Sequence, residues 1–312
     1  MERNTRLLAY LLVVQVAVVA AIWYFAEFRG EDASAQLVTI DRDAVTAIEV
    51  AENETTSVRL EKSEDGWRLP GLDALPADSE KVTGLIDKLE GAEAAWPVAT
   101  SESSAERFEV SDAKFQRRIR FFAGDAVATE LFLGTSPGFR RVHARRGGSS
   151  DIYSITFANF EAPTKLEEWL DKTLLQPAGE LTSVAHSGGW QLTKEGDAWL
   201  LANRAEGENT DGDVARDIVS KLNDLRILGR AETPPADGAA PVFELTLGTD
   251  AGTRVLRFFR PDDTSDFVVG ADDRAGWYRV AAYIGEALNV DRAVLLAKAP
   301  PDTNEGAAPG AE

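Results

Sequence analysis

Hydrophobic and polar positions divide the chain into three regimes. Residues 7–25 run LLAYLLVVQVAVVAAIWYF, with no charge and only Gln15 strongly polar. Residues 37–298 alternate apolar and polar side chains at period two, with stretches of helical spacing between them. Residues 299–312, APPDTNEGAAPGAE, are small, polar and proline-containing, which predicts a disordered tail.

Within the middle regime one phrase occurs twice. Residues 58–69 are VRLEKSEDGWRL and residues 190–201 are WQLTKEGDAWLL, so Leu60, Lys62, Asp65, Trp67 and Leu69 fall on Leu192, Lys194, Asp197, Trp199 and Leu201. Alternation, a break at Asp with Gly beside it, and renewed alternation predict a β-hairpin with a turn residue tolerant of positive φ. A loop follows each hairpin, and then Asp78 or Asp211 opens a helical pattern, with Asp78 or Ser79 placed to cap the first. Val82, Leu85, Ile86 and Leu89 form one apolar face, and Ala215, Ile218, Val219 and Leu222 form the other. Residues 115–134 and 243–260 each predict strand, turn and strand, and strands at 151–156 and 276–281 set Tyr153 against Tyr278. Segments 163–175 and 281–296 predict closing helices, and 45–50 and 181–186 predict strands leading into the hairpins.

The same order of elements thus occurs twice, at 37–176 and 177–298, too consistently for coincidence. The predicted fold class is α+β: one N-terminal transmembrane helix followed by two tandem similar α+β units.

A helix over residues 7–25 covers roughly 28 Å, about the hydrocarbon thickness of a bilayer. Trp23 and Tyr24 close it with rings suited to the headgroup region. Arg3 and Arg6 precede it, whereas Arg29 is followed at once by Glu31 and Asp32. The expected layout is a cytoplasmic N-terminus (1–6), a transmembrane helix (7–26), a short linker (27–36) and everything beyond outside the cytoplasm. The competing reading is a signal peptide cleaved after Ala35, at Ala33-Ser34-Ala35. An apolar stretch longer than the usual 7–15 residues, and two acids before that site, favour the uncleaved anchor.

Charge and composition narrow the partners. The chain has 312 residues and a formal net charge of −19, and since residues 1–30 sum to +1, residues 31–312 carry −20. An acidic body repels nucleic acid, which is not an expected partner. With no Cys there are no disulfides, thiolate nucleophiles or Cys-ligated metals, and His143 and His186 alone cannot build a histidine-rich metal site.

The search for chemistry assigns no catalytic, cofactor-binding or metal-ligating residue. No phosphate-binding loop, Gly-x-Ser-x-Gly or His-Glu-x-x-His sequence occurs. His186 is expected to be a partly exposed strand histidine. Asp262-Asp263 and Asp272-Asp273 lack the alternating oxygen ligands of a calcium loop and are expected to be solvated turns. Trp67, Trp190 and Trp199 are expected to anchor the core rather than to form a carbohydrate platform. One basic stretch breaks the acidic background: FRRVHARR, residues 139–146. In a strand, Arg141, His143 and Arg145 would face one way and Arg140 and Arg146 the other. These five residues are the candidate interaction patch, suited to phosphate or carboxylate groups. The alternative is an edge strand whose charges block edge-to-edge pairing.

The Lys-x-x-Asp-Gly-Trp hairpin followed by a helix, behind one membrane segment, resembles the bacterial domain of unknown function family 4340. Lys62 to Trp67 fits the pattern, and Lys194 to Trp199 fits with Ala198 in place of Gly. The family's Phe/Tyr-Gly-Leu turn is met loosely by Phe108-Glu109-Val110, and its closing aromatic-basic-Leu pattern by Trp169 to Leu175. The resemblance implies association with gliding-type ABC-transporter components and carries over no catalytic residue. The expected function is a non-enzymatic, single-pass protein of the inner membrane, an accessory or subunit of an envelope transport complex with protein partners. The alternative is an extracytoplasmic module that binds a glycan, lipid or peptide in a cleft between the units.

Overall fold

The computed structural model describes residues 12, 14–20, 35–261 and 266–297. Leu12 and residues 14–20 are helical and exposed, and among the described residues no helix is long and apolar enough to cross a membrane. Most of the expected 7–26 helix, the tail 299–312 and Asp262-Asp263 lie outside the described residues.

The chain forms two compact units, Met1–Asp171 and Lys172–Glu312. The division falls a few residues before the boundary expected at 176/177, because 172–176 is tied forward. The Lys172 carbonyl accepts from the Ile227 N–H at 3.0 Å, and the Gln176 carbonyl accepts from buried Arg254.

Unit one contains β1 (Ala35–Gln36), β2 (Ala47–Ala51), β3 (Ser57–Ser63), β4 (Gly66–Leu69), β5 (Leu75–Pro76), α1 (Ser79–Glu90) and β6 (Glu93–Ala94). It continues with α2 (Glu102–Arg107), β7 (Arg117–Ala123), β8 (Ala126–Leu133), β9 (Arg141–Arg146) and β10 (Ile152–Thr156). Unit two contains β11 (Leu181–His186), β12 (Trp190–Glu195), β13 (Ala198–Leu201), α3 (Gly212–Asn223), β14 (Gly229–Arg230), β15 (Phe243–Thr249), β16 (Gly252–Phe259), β17 (Phe267–Ala271), β18 (Arg274–Val280) and α4 (Ala282–Leu288).

Each unit is built on an eight-stranded antiparallel sheet. Sheet one runs β10-β9-β8-β7-β2-β3-β4-β5, and sheet two, taken from its far edge, runs β14-β18-β17-β16-β15-β11-β12-β13. Seven strands coincide in order, and the sheets differ only in which edge carries the extra strand. The registers coincide as well. Lys62 pairs with Trp67, and Lys194 with Trp199. The row Leu60–Ile48–Phe121 matches Leu192–Val184–Leu247, and Leu133–Ala144–Tyr153 matches Phe258–Val269–Tyr278. The duplication read in the sequence is therefore a duplication of side-chain positions.

One face of each sheet is apolar and buried, the division expected of an antiparallel sheet with a single covered face. In unit one that face includes Ile48, Leu60, Ile119, Phe121 and Leu131, all fully buried. Helix α1 adds Val82, Leu85, Ile86 and Leu89, capped by Asp78 accepting from the Lys81 N–H at 3.0 Å. Helix α3 buries Ala215, Ile218, Val219 and Leu222 behind Asp211, which accepts from Asp213 and Val214 N–H groups. The other face of sheet one carries ion pairs such as Arg120–Glu49, Arg118–Glu54 and Arg59–Glu61.

Positive φ at the hairpin turns belongs to Gly66 (+113°) and Gly196 (+61°), beside the aspartates, since glycine takes that region without a Cβ clash. Two expectations are corrected. Residues 163–175 do not form an α-helix; only a 3-10 turn at Leu166–Glu168 appears. There the backbone is recruited elsewhere: Leu170 bridges Ala77, and the Asp78 N–H donates to the Trp169 carbonyl at 2.7 Å. Residues 281–296 split into α4 and a 3-10 turn, Arg292–Leu295.

Candidate functional site

The basic stretch 139–146 forms the tip of the β8–β9 hairpin and then β9 itself. Its register sets Arg141, His143 and Arg145 on one face, against Thr156, Ser154 and Ile152 of β10. Those three do not form a common surface. Arg145 is buried over the Phe132 ring at 4.5 Å. Its guanidinium donates to the Val110 carbonyl at 2.6 Å, the Ser149 carbonyl at 3.0 Å and Asp112 Oδ1 at 2.6 Å. His143 is also buried, stacked on Phe108 at 4.0 Å with Nδ1 at 2.9 Å from the Thr135 carbonyl oxygen. Burial is the largest influence on its pKa and pushes it down, so the ring is held neutral.

Arg140, Arg141 and Arg146 remain exposed, but Arg146 sits at the opposite end of β9, about 16 Å away by strand rise. The structure thus brings together Arg140 and Arg141, and it adds a residue outside the expected patch. Phe139 is 89% exposed at the hairpin tip, with the Arg140 guanidinium over its ring at 5.3 Å. Arg140 holds φ at +51°, which fixes that tip, and Arg141 is tied to Ser154 Oγ at 2.9 Å. The tip is a small aromatic and cationic prong on an acidic protein.

A second feature lies in unit two and comes from a difference between the repeats. In unit one, the chain between β6 and β7 forms α2. It places Ala105 and Val110 on Phe132 and Ile152 to form a small closed core. In unit two, the matching stretch 231–242 contains Pro234-Pro235 and forms no helix. It leaves a cleft of about 850 Å³ against Phe259 and Val268. Val242 lines it from the loop side, and Arg279, which faces Asp266 at 3.8 Å, adds charge. Sequence reasoning missed the cleft. The available signal was the loss of helical pattern and the proline pair at 234–235.

The other residues weighed from sequence have structural employment. Trp67, Trp190 and Trp199 are buried, and Trp190 Nε1 donates to the Val290 carbonyl at 2.7 Å. Asp273 pairs with buried Arg254 at 2.7 Å, and Asp272 accepts from the Val255 N–H at 2.8 Å. His186 is buried rather than partly exposed. It stacks between Trp190 at 5.0 Å and Phe243 at 5.2 Å, because β11 turns that position into the aromatic core. Among the described residues, no cluster of three or more His, Asp or Glu side chains is placed to hold a metal ion.

A family model described as Domain of unknown function (DUF4340) matches residues 67–242. The chain belongs to this family. The DUF4340 match begins at the tryptophan of the first hairpin and ends at the loop beside the unit-two cleft, so it takes in parts of both units. No curated protein matches the chain, and no solved structure does. The family's Phe/Tyr-Gly-Leu turn now has a physical counterpart. Glu109 has φ +57°, a conformation glycine adopts freely, and a Cβ on facing Gly134 would meet the Phe108 carbonyl oxygen at 2.0 Å.

Proposed function

We propose that this DUF4340 chain is a membrane-anchored accessory of an envelope transport complex of the ABC type, acting by contact with partners outside the cytoplasm. The uncharged stretch 7–25, the flanking arginines and the acidic body support the anchor and its orientation. Strand β1 begins at Ala35, so cleavage after Ala35 would cut within a paired strand. The observation that carries the contact reading is the Phe139–Arg140–Arg141 prong. An exposed aromatic ring under a guanidinium is the side-chain chemistry that concentrates binding energy at protein interfaces. Its positive charge is complementary to an acidic groove.

Purification of the full chain from native membranes in mild detergent, after brief cross-linking, tests this reading. ABC-transporter subunits should be recovered with it. The double variant Phe139→Ser, Arg140→Asn keeps a residue tolerant of left-handed φ at 140 and should recover on the order of tenfold less, the loss of a contact of about 1.4 kcal/mol. A chain that remains without partners after cross-linking would count against the proposal.

A second reading is a binding module for a lipid, glycan or peptide, and the unit-two cleft favours it. Its apolar wall and nearby arginine suit an apolar segment with an acidic group. A photo-crosslinking residue at Val242 in cells should capture such a ligand as a mass adduct. No adduct under conditions that label a control surface position would remove this reading.

A further inference from the structure

Four consecutive apolar residues of unit one, Ala95-Trp96-Pro97-Val98, are all exposed, Trp96 at 62% and Val98 at 50%. Runs of this kind are avoided on water-facing surfaces unless something covers them. The run is not a loose loop that folds back in solution. Upstream, β6 pairs with β1, and the Leu37 N–H donates to the Ala92 carbonyl at 3.0 Å. Downstream, the Val98 N–H donates to the Ile152 carbonyl at 2.7 Å and the Ile152 N–H to the Ala99 carbonyl at 2.8 Å. The backbone therefore presents Trp96 outward from fixed ends.

The position of this run indicates what covers it. Ala35 pairs with Ala94, two residues before Trp96. Ala35 is also ten residues after Phe25, the last residue of the uncharged stretch, a span of at most about 35 Å when fully extended. The exposed run thus lies where the chain arrives from the anchor. Tryptophan is the side chain that favours the headgroup region, with its ring among acyl carbons and its N–H toward water. Repeat comparison supports a local purpose: the position matching Trp96 in unit two is Gly229, on a stretch that joins the sheet edge as β14.

We propose that Ala95–Val98 inserts into the lipid headgroup region of the membrane that holds the anchor, giving unit one a second, peripheral attachment and a fixed orientation. The idea rests on the anchor reading above. Insertion of the ring and the Val98 side chain to a depth of about 5–10 Å is the depth at which amphipathic segments settle. The flanking Glu93 and Glu102 make neutral lipid the better host, because anionic lipid would repel them.

The absence of cysteine permits a clean test. Full-length Val98→Cys and Phe139→Cys chains, each carrying one environment-sensitive fluorophore, are reconstituted in phosphatidylcholine vesicles containing nitroxide-labelled lipid. Phe139 is exposed near the opposite end of the β9–β10 ladder and serves as the reference. The label at 98 should be blue-shifted and quenched several-fold more than the label at 139, and adding Trp96→Ser should weaken that quenching without lowering Tm. Equal quenching at the two positions overturns the proposal. Shielding at 98 in native membranes but not in vesicles overturns it in favour of a protein partner. Alkaline carbonate separates the two readings. A chain retained by the membrane but with 98 in water fails only this inference, whereas a released chain fails the anchor and this inference together.

Discussion

Arg145 and Arg140 lie five positions apart in one basic stretch, yet they do opposite work. Arg145 satisfies three carbonyl groups and one carboxylate, so Arg145→Ala would strip the buried Val110 carbonyl of its donor and leave Phe132 uncovered. Hydrogen bonds to a charged group contribute about 1.5–3 kcal/mol, and a loss in that range is expected in denaturant unfolding. Arg140→Ala should stay within about 0.5 kcal/mol of the parent, as exposed substitutions do. Equal losses would refute the division of the patch. His186 gives a pH-dependent counterpart. Its Nδ1 accepts from the Gly188 N–H at 2.7 Å, so the neutral ring carries its proton on Nε2, which is buried. Burial lowers its pKa, outweighing the opposing pull of Asn289 and Asp291, so the unfolded chain binds the proton more readily. The resulting stability is present above the unfolded value of about 6.5 and is lost as pH falls from there toward the lower folded value. His186→Phe should make stability less pH-dependent just below 6.5. An unchanged slope would mean that the ring is not held neutral.

At the scale of elements, the two hairpins are the best test of the duplication. Each sets a tryptophan opposite a lysine and is followed by a helix behind an aspartate cap, with α1 packing on β4 and α3 on β13. Trp67→Ala and Trp199→Ala should each cost about 3–5 kcal/mol, the range for truncating a buried tryptophan. A variant that kept its melting temperature while losing a partner would make that tryptophan a binding residue instead. The hairpins and the two long helices were legible because their periodicity reports one buried face, and the faces at Val82–Leu89 and Ala215–Leu222 are buried as read. Residues 163–175 misled because Trp169, Leu170, Leu174 and Leu175 have helix-compatible spacing, while the sheet edge and the Asp78 N–H claim the same backbone. The arginine patch was legible as a charge anomaly only. Which arginines turn inward depends on the loop at 108–112, distant in sequence, and no local pattern announces it. The exposed prong at Phe139 and the cleft at 231–242 were hidden for the same reason: both are defined by what neighbouring segments fail to cover.

At the scale of the whole molecule, the halves that agree are structural and the stretches that differ are where contact with something else is expected. The matched sheet rows hold the cores. Phe139, Ala95–Val98 and the cleft all fall where the two copies differ. The charge is also divided unevenly, with +1 on residues 1–30 and −20 beyond them. That asymmetry predicts an orientation, since arginines before an apolar segment are retained on the cytoplasmic side. The cysteine-free background makes the orientation measurable with one thiol at a time. Tyr283→Cys, at an exposed site on α4, should react in intact spheroplasts with a maleimide that cannot cross membranes. Asn4→Cys should react only after permeabilisation, and the intact mass of the chain should include residues 1–35. Reaction of Asn4→Cys from outside would invert the proposed topology. Loss of residues 1–35 from the mature chain would replace the anchor with a cleaved signal, and the Phe139 prong would then act from a soluble protein.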